Sequence, residues 1–161
     1  MNMTVEMVQQ LNLMHEQKGI FAGTSLKKHV PKINRIIREK DIESVLDYGC
    51  GKAMFHHRLV VDPVKYDPGY PPYSEKPTGN YELVICTDVM EHVDEQFVSK
   101  VLVEIFYYAT KHVYLHISTK EAVKKLPDGR NAHVTVKPEN WWRNKVNAAN
   151  TKFLDVSLSF D

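Results

Sequence analysis

A chain of 161 residues, 43% apolar and 25% charged, can bury one hydrophobic core and is expected to form a single domain over 1–161. Its 21 basic and 20 acidic residues leave a formal net charge of +1, without the overall positive field of a dedicated nucleic-acid binder. No apolar run reaches the ~20 residues of a membrane span, and the first residues lack a secretion-signal stretch, so a cytoplasmic protein with no membrane partner is expected.

Val5, Val8, Leu11 and either Met14 or His15 fall on one side of a helix over 2–18. A break follows at 19–23. Thr24 or Ser25 then reads as the N-cap of a second helix to about Lys40, interrupted near Pro31. These helices would form a cap (1–40) on a core (41–161). Ser44 to Tyr48 predicts a short strand that ends in Gly49-Cys50-Gly51, with a brief helix over 52–60. A second strand is expected from Val64 to Asp67, and residues 68–80 are punctuated as a loop. Tyr81 to Cys86 reads as a strand, and 94–109 as a helix with Phe97, Val101, Ile105 and Tyr108 on one face. Val113 to Ile117 is the fourth strand. A helix near 138–148 carries Trp141 and Trp142, one or both of them packing residues. The alternation of Leu154, Val156, Leu158 and Phe160 with polar residues predicts a final strand.

Strand and helix alternate through the middle of the chain, which predicts an α/β fold with a mostly parallel, doubly wound sheet. No strand is evident between Asp67 and Tyr81, and only one strand follows the last helix. The expected sheet is therefore a reduced Rossmann-like one. Ligands of such sheets lie beyond the carboxyl ends of the strands, where the Gly turn, Asp67 and the Thr87-Asp88 segment all fall.

Glycine at 49 and 51 lets backbone approach a ligand, and amides at a following helix start could hold a carboxylate. A branched side chain at either glycine is then expected to fill ligand space while the chain stays folded. Asp67, at a strand end, suits a bidentate bond to ribose hydroxyls. The third glycine of a dinucleotide fingerprint would fall at Met54, which opposes pyrophosphate binding. Cys50 and Cys86 read as buried thiols. His56 and His57 diverge, and His112 and His116 stand about 13 Å apart on a strand. No metal site is expected from these pairs.

Val45-Leu-Asp-Tyr-Gly-Cys-Gly51 resembles motif I of the class I S-adenosylmethionine-dependent methyltransferases, and Tyr81 to Val93, with Asp-Val-Met-Glu-His, resembles their fourth-strand motif. The likeness spans about residues 20–142. It extends to Phe21 and Gly23, placed like the segment that closes over the cofactor. Leu126 to His133 with Trp141-Trp142 resembles a compact bacterial and phage subset. It departs where motif I often has a further glycine, here Ala53, and in the missing third strand, whose adenine contacts Met90 or the 68–76 loop would replace.

The resemblance implies S-adenosylmethionine as cofactor. Asp47, Gly49, Cys50 and Gly51 would serve its methionine moiety, Asp67 and Pro68 its ribose side, and Thr87 and Asp88 its adenosyl or methyl end. His133 is the first candidate base, with His92 and Asp88 behind it. Three functions stay open: methyl transfer to a small molecule or glycan, which the low net charge favours; methyl transfer to nucleic acid or protein through Lys27, Lys28, Arg35 and residues 124–130; and cofactor binding without catalysis. Oligomeric state is open too. The string Tyr70-Pro-Pro-Tyr73 reads as a stiff extended loop.

Overall fold

A computed structural model describes residues 4–17, 21 and 24–161. The elements are helices α1 (Val5–Glu16) and α2 (Leu26–Glu39), strands β1 (Val45–Tyr48), β2 (Val64–Tyr66) and β3 (Tyr81–Thr87), helix α3 (Glu95–Tyr108), strand β4 (Ala109–Ile117), helix α4 (Glu139–Ala149) and strand β5 (Asp155–Phe160). Three short 3-10 turns lie at His56–Arg58, Pro71–Tyr73 and Met90–His92. All five strands are parallel, in the order β2-β1-β3-β4-β5. The chain therefore has the reduced, Rossmann-like α/β fold.

Alternation along the central strands decides what covers each face. Val84 and Cys86 of β3, with Val113, Leu115 and Ile117 of β4, pack under α3 and α4. Leu83 and Ile85, with Val45 and Tyr114, face the other way onto Ile33, Ile36 and Ile37 of α2. Helix α1 belongs to neither of these two clusters. Its Met7, Leu11 and Met14 pack on Leu126 and Ala132, in the loop after β4. Thr4 caps it by accepting from the Met7 amide at 3.1 Å.

Several sequence expectations change. Pro31 sits inside α2 without ending it. The ring removes one hydrogen bond near the helix start, and the buried Ile33, Ile36 and Ile37 beyond it hold the helix to the sheet. The helix expected over 52–60 does not form. Only the turn His56–Arg58 is helical. Ala53 takes φ 57°, and Asn34 of α2 draws the segment down, donating to Arg58 O at 2.9 Å and accepting from the Val60 amide at 3.0 Å. The Pro71–Tyr73 stretch is a compact turn, not an extended loop; the amide of Asp67, just after β2, donates to Tyr73 O at 2.9 Å.

Trp142 is fully buried between α3 and the sheet, while Trp141 is half-buried under Lys137 and Lys145. Both are packing residues. Trp142→Ala should lower unfolding stability by ~3–5 kcal/mol, the cost of emptying a large aromatic site, read as a shift in the urea midpoint with Trp142→Phe as the milder control.

Candidate functional site

The strand order reverses between β1 and β3: β1 connects outward to β2, and β3 leads the other way to β4 and β5. A cleft opens beyond the carboxyl ends at that point, where doubly wound sheets hold ligands. Gly49 and Gly51 form one wall, Asp67 and Pro68 a second, and Thr87 and Asp88 a third. Phe21 closes it from above. Leu11, His15, Ser25, Val89, His92 and Val93 complete the lining. The cleft is narrow, a cavity of about 80 Å3.

Asp67 is fixed by backbone. Its Oδ2 accepts from the Gly51 amide and its Oδ1 from the Gly69 amide, both at 2.8 Å. His15 Nε2 of α1 stands 3.7 Å from Oδ1. A carboxylate has about four lone-pair directions, so each oxygen retains capacity for a ligand hydroxyl. His15 is a cleft residue that helical periodicity placed in the packing face of α1; only the tertiary contact with Asp67 reveals it.

The glycine turn works differently from the sequence expectation. With no helix after it, there is no helix-end anion seat. The amides of Gly49 and Cys50 donate to Tyr66 O at 2.7 and 3.1 Å, and that of Lys52 to Phe21 O at 3.0 Å. Gly49 has φ 89°, and a Cβ there would meet Val89, with Cγ1 at 2.8 Å and Cγ2 nearer. A side chain at Gly49 is thus a folding lesion before it is a binding one, contrary to the expectation of an intact fold. Gly49→Ala should destabilise the chain by ~1–3 kcal/mol, and Val89→Ala should recover only the steric part, both measured by denaturant unfolding.

Asp47 and Cys50 are buried and do not line the cleft. Asp47 forms a short hydrogen bond with His56 Nε2, which holds the turn from beneath. Burial raises the Asp47 pKa, and His56 opposes the rise. Met90 is fully buried in the core and does not line the cleft. Gly23 lies outside the described residues.

Asp88 adopts φ 55° and donates its amide to His116 O at 3.0 Å. A non-glycine residue there is strained, and such strain concentrates at functional sites. Burial raises its carboxyl pKa, opposed by Lys28 and His116. Lys28 Nζ lies 3.8 Å from Asp88 Oδ2, 3.7 Å from Asp161 Oδ2 and 3.2 Å from His116 Nε2, to which it donates. His29 stacks beside them, 4.5 Å from the His116 ring, with Nδ1 bonded to Tyr114 Oη at 2.8 Å.

A second cavity adjoins the cleft across Phe21 and His92. His133 lines this second cavity together with Ser118, Lys120 and Asp161, and does not line the cleft. His92 Nδ1 donates to Ala132 O at 2.7 Å, and His133 Nδ1 to Lys120 O at 2.6 Å. Their rings meet edge to face at 4.9 Å. The loop that brings His133 there is pinned by Thr135, whose Oγ1 donates to Val93 O at 2.6 Å and whose amide donates to Glu91 O at 3.0 Å. Glu91, which sequence reasoning left out of the site, is fully buried beside both rings. Burial pushes its carboxyl up to about 8, and the amides of Glu91 and Ser118 oppose this in part. His92 is pushed down to about 4 by burial and by His133.

Of the basic residues considered for a nucleic-acid patch, Lys28 faces Asp88 and Asp161, Arg35 faces Glu39, and Arg130 is paired with Asp128. Among the described residues, no helix is long and apolar enough to cross a membrane. Comparison with family models, curated proteins and solved structures finds no match.

His29 yields a pH prediction. Its pKa is held down to about 4, first by burial, then by His116, Lys28 and Lys32, with Asp161 opposing. The unfolded imidazole titrates near ~6.5, so the unfolded chain binds more protons between the two values and stability is lost as pH falls through that window. Asp88 and Glu91, raised by burial, act in the opposite sense. The expected reading is therefore a difference: from pH 6.5 to 4, wild type should lose more stability than His29→Gln. Parallel curves would show that His29 carries no such linkage.

Proposed function

We propose that the chain binds S-adenosylmethionine in the switch-point cleft and transfers its methyl group to an acceptor, a small molecule or glycan, that enters from the adjoining cavity. One observation carries this reading: the two glycines, the acid at the end of β2 and the Thr87-Asp88 segment at the end of β3 line one cleft under Phe21. Those residues come from four separate segments of the chain.

The residues suit a nucleoside. Asp67 is oriented by two amides and has lone pairs left for two ribose hydroxyls. The missing helix after β1 speaks against cofactors held by a pyrophosphate or phosphate, which depend on such a helix end. It also removes the seat foreseen for a carboxylate at the glycine turn, and the Lys28 ammonium beside Asp88 is the nearest substitute. The narrow cleft requires α1 and Phe21 to move outward before a nucleoside enters. Because α1 packs on loops and not on the sheet, that movement leaves the sheet core undisturbed.

The bound sulfonium supplies a methyl group already activated for displacement, so the chain's work is alignment and exclusion of water. Phe21 and α1 exclude water from above. Asp88 borders the cleft with the Lys28 ammonium 3.8 Å from its carboxyl, and His92 lines both the cleft and the acceptor side. His133, with Nδ1 anchored on Lys120 O, lines that side, and its Nε2 faces the Glu91 carboxyl at 4.0 Å.

Calorimetry tests the reading. S-adenosylhomocysteine should bind one per chain, and Asp67→Ala should weaken it by ~1.5–3 kcal/mol, the range for charge-assisted hydrogen bonds. Thermal unfolding of the same variant checks that the loop held by Asp67 has kept its fold. If neither S-adenosylmethionine nor S-adenosylhomocysteine binds, the reading fails.

A further inference from the structure

Glu91 has no exposed surface, and no side chain hydrogen-bonds either carboxyl oxygen; only the backbone amides of Glu91 and Ser118 bear on its charge. No Lys or Arg pairs with it among the described residues. The closest charged or chargeable partner is His133, with Nε2 4.0 Å from Oε1. Buried carboxyl groups left in this condition are destabilising by several kcal/mol. They persist where a function needs them.

The neighbours are set for a particular use of that carboxyl. His92 and His133 each spend Nδ1 on a backbone carbonyl, Ala132 O and Lys120 O respectively. In the neutral ring the lone pair then lies on Nε2. A metal-binding histidine is characteristically anchored in this way, with its other nitrogen donating to a carbonyl or carboxylate. The ligand atoms of Glu91, His92 and His133 all lie within 4.8 Å of one another. An ion bonded at ~2.0–2.2 Å to each would draw them together by side-chain rotation of about 1 Å. The two segments involved are already tied: Thr135 bonds the His133 loop to Glu91 O and Val93 O.

We propose that Glu91, His92 and His133 bind one divalent first-row transition ion at the boundary between the cleft and the second cavity. Two imidazoles and one carboxylate on one side of an ion leave its other positions open. His92 and His133 line the second cavity together with Ser118, Lys120 and Asp161. An oxygen-bearing acceptor is the ligand the open positions would take. What the ion holds rests on the methyl-transfer reading; that the ion binds does not.

The test uses the full chain, without a histidine tag, stripped with chelator and titrated with Co2+ and Mn2+. Wild type should take up one ion per chain, with a Co2+ visible spectrum and loss of the free Mn2+ paramagnetic signal. Glu91→Gln keeps the shape of the buried side chain and should lower affinity at least ~10-fold while remaining folded. His133→Ala, at the cavity edge, should do the same and stands in if Glu91→Gln fails to fold. No uptake by wild type, or equal uptake by both variants, overturns the proposal. S-adenosylhomocysteine is titrated into the same samples. Cofactor binding without metal uptake sinks this inference alone, and metal uptake without cofactor binding sinks the methyl-transfer reading alone.

Discussion

The carboxylate of Asp67 accepts from the amides of Gly51 and Gly69 and thereby ties the turn after β1 to the loop after β2. Larger sheets of this kind support that corner with a helix after the first strand and a third strand at the edge. Here neither is present, and the Asp67 carboxylate joins the two turns beside the Gly49 and Cys50 amides on Tyr66 O and above the Asp47–His56 bond. Hydrogen bonds to a charged acceptor contribute roughly 1.5–3 kcal/mol each, enough to fix two turns whose own residues bury little. His15 brings α1 onto the same carboxylate. Fold and cleft are therefore coupled at a single residue. A substitution that unties the turns also removes the group that a ribose would meet.

The sheet was legible because its strands are short apolar runs that only a core buried on both faces explains. Val45 to Tyr48 and Tyr81 to Thr87 announce themselves, and the Gly, Asp and Thr-Asp positions follow from the strand ends. The segment 52–60 was misread because its composition is neutral toward helix. What decides it is a tertiary bond: Asn34, on another element, takes the backbone of Arg58 and Val60. Pro31 misled in the opposite direction. A proline one turn into a helix costs a hydrogen bond, and the apolar face of α2 outweighs that cost.

Glu91 was not legible for a related reason. In sequence it is one acid before one histidine. Its significance lies in burial and in the absence of a side-chain bonding partner, which depend on a loop forty residues away folding back through Thr135. His133 and His92 were named from sequence as candidate bases, yet their contact with each other and with Glu91 was not. A histidine's role is set by what its second nitrogen does, and that is a property of the folded chain.

Two clusters of histidine and carboxylate stand near the strand ends, and the contrast between them decides which one needs a cation. In the first, His29, Asp88 and His116 come within coordinating distance of one another, but the Lys28 ammonium already sits among Asp88, His116 and Asp161. Asp161 belongs to the residues following β5, so this lysine links the ends of β3, β4 and the last strand. Positive charge is supplied there by the chain, and a metal would have to displace it. In the second cluster no side chain plays that part. Glu91 is more deeply buried than Asp88, and its two histidines are anchored with Nε2 free. A neutralising proton can occupy the carboxyl at ordinary pH, which burial permits. It would still leave both histidine lone pairs unused and the carboxyl without a side-chain partner. A divalent ion satisfies all three groups together, and this is why the cation is assigned to Glu91 and not to Asp88.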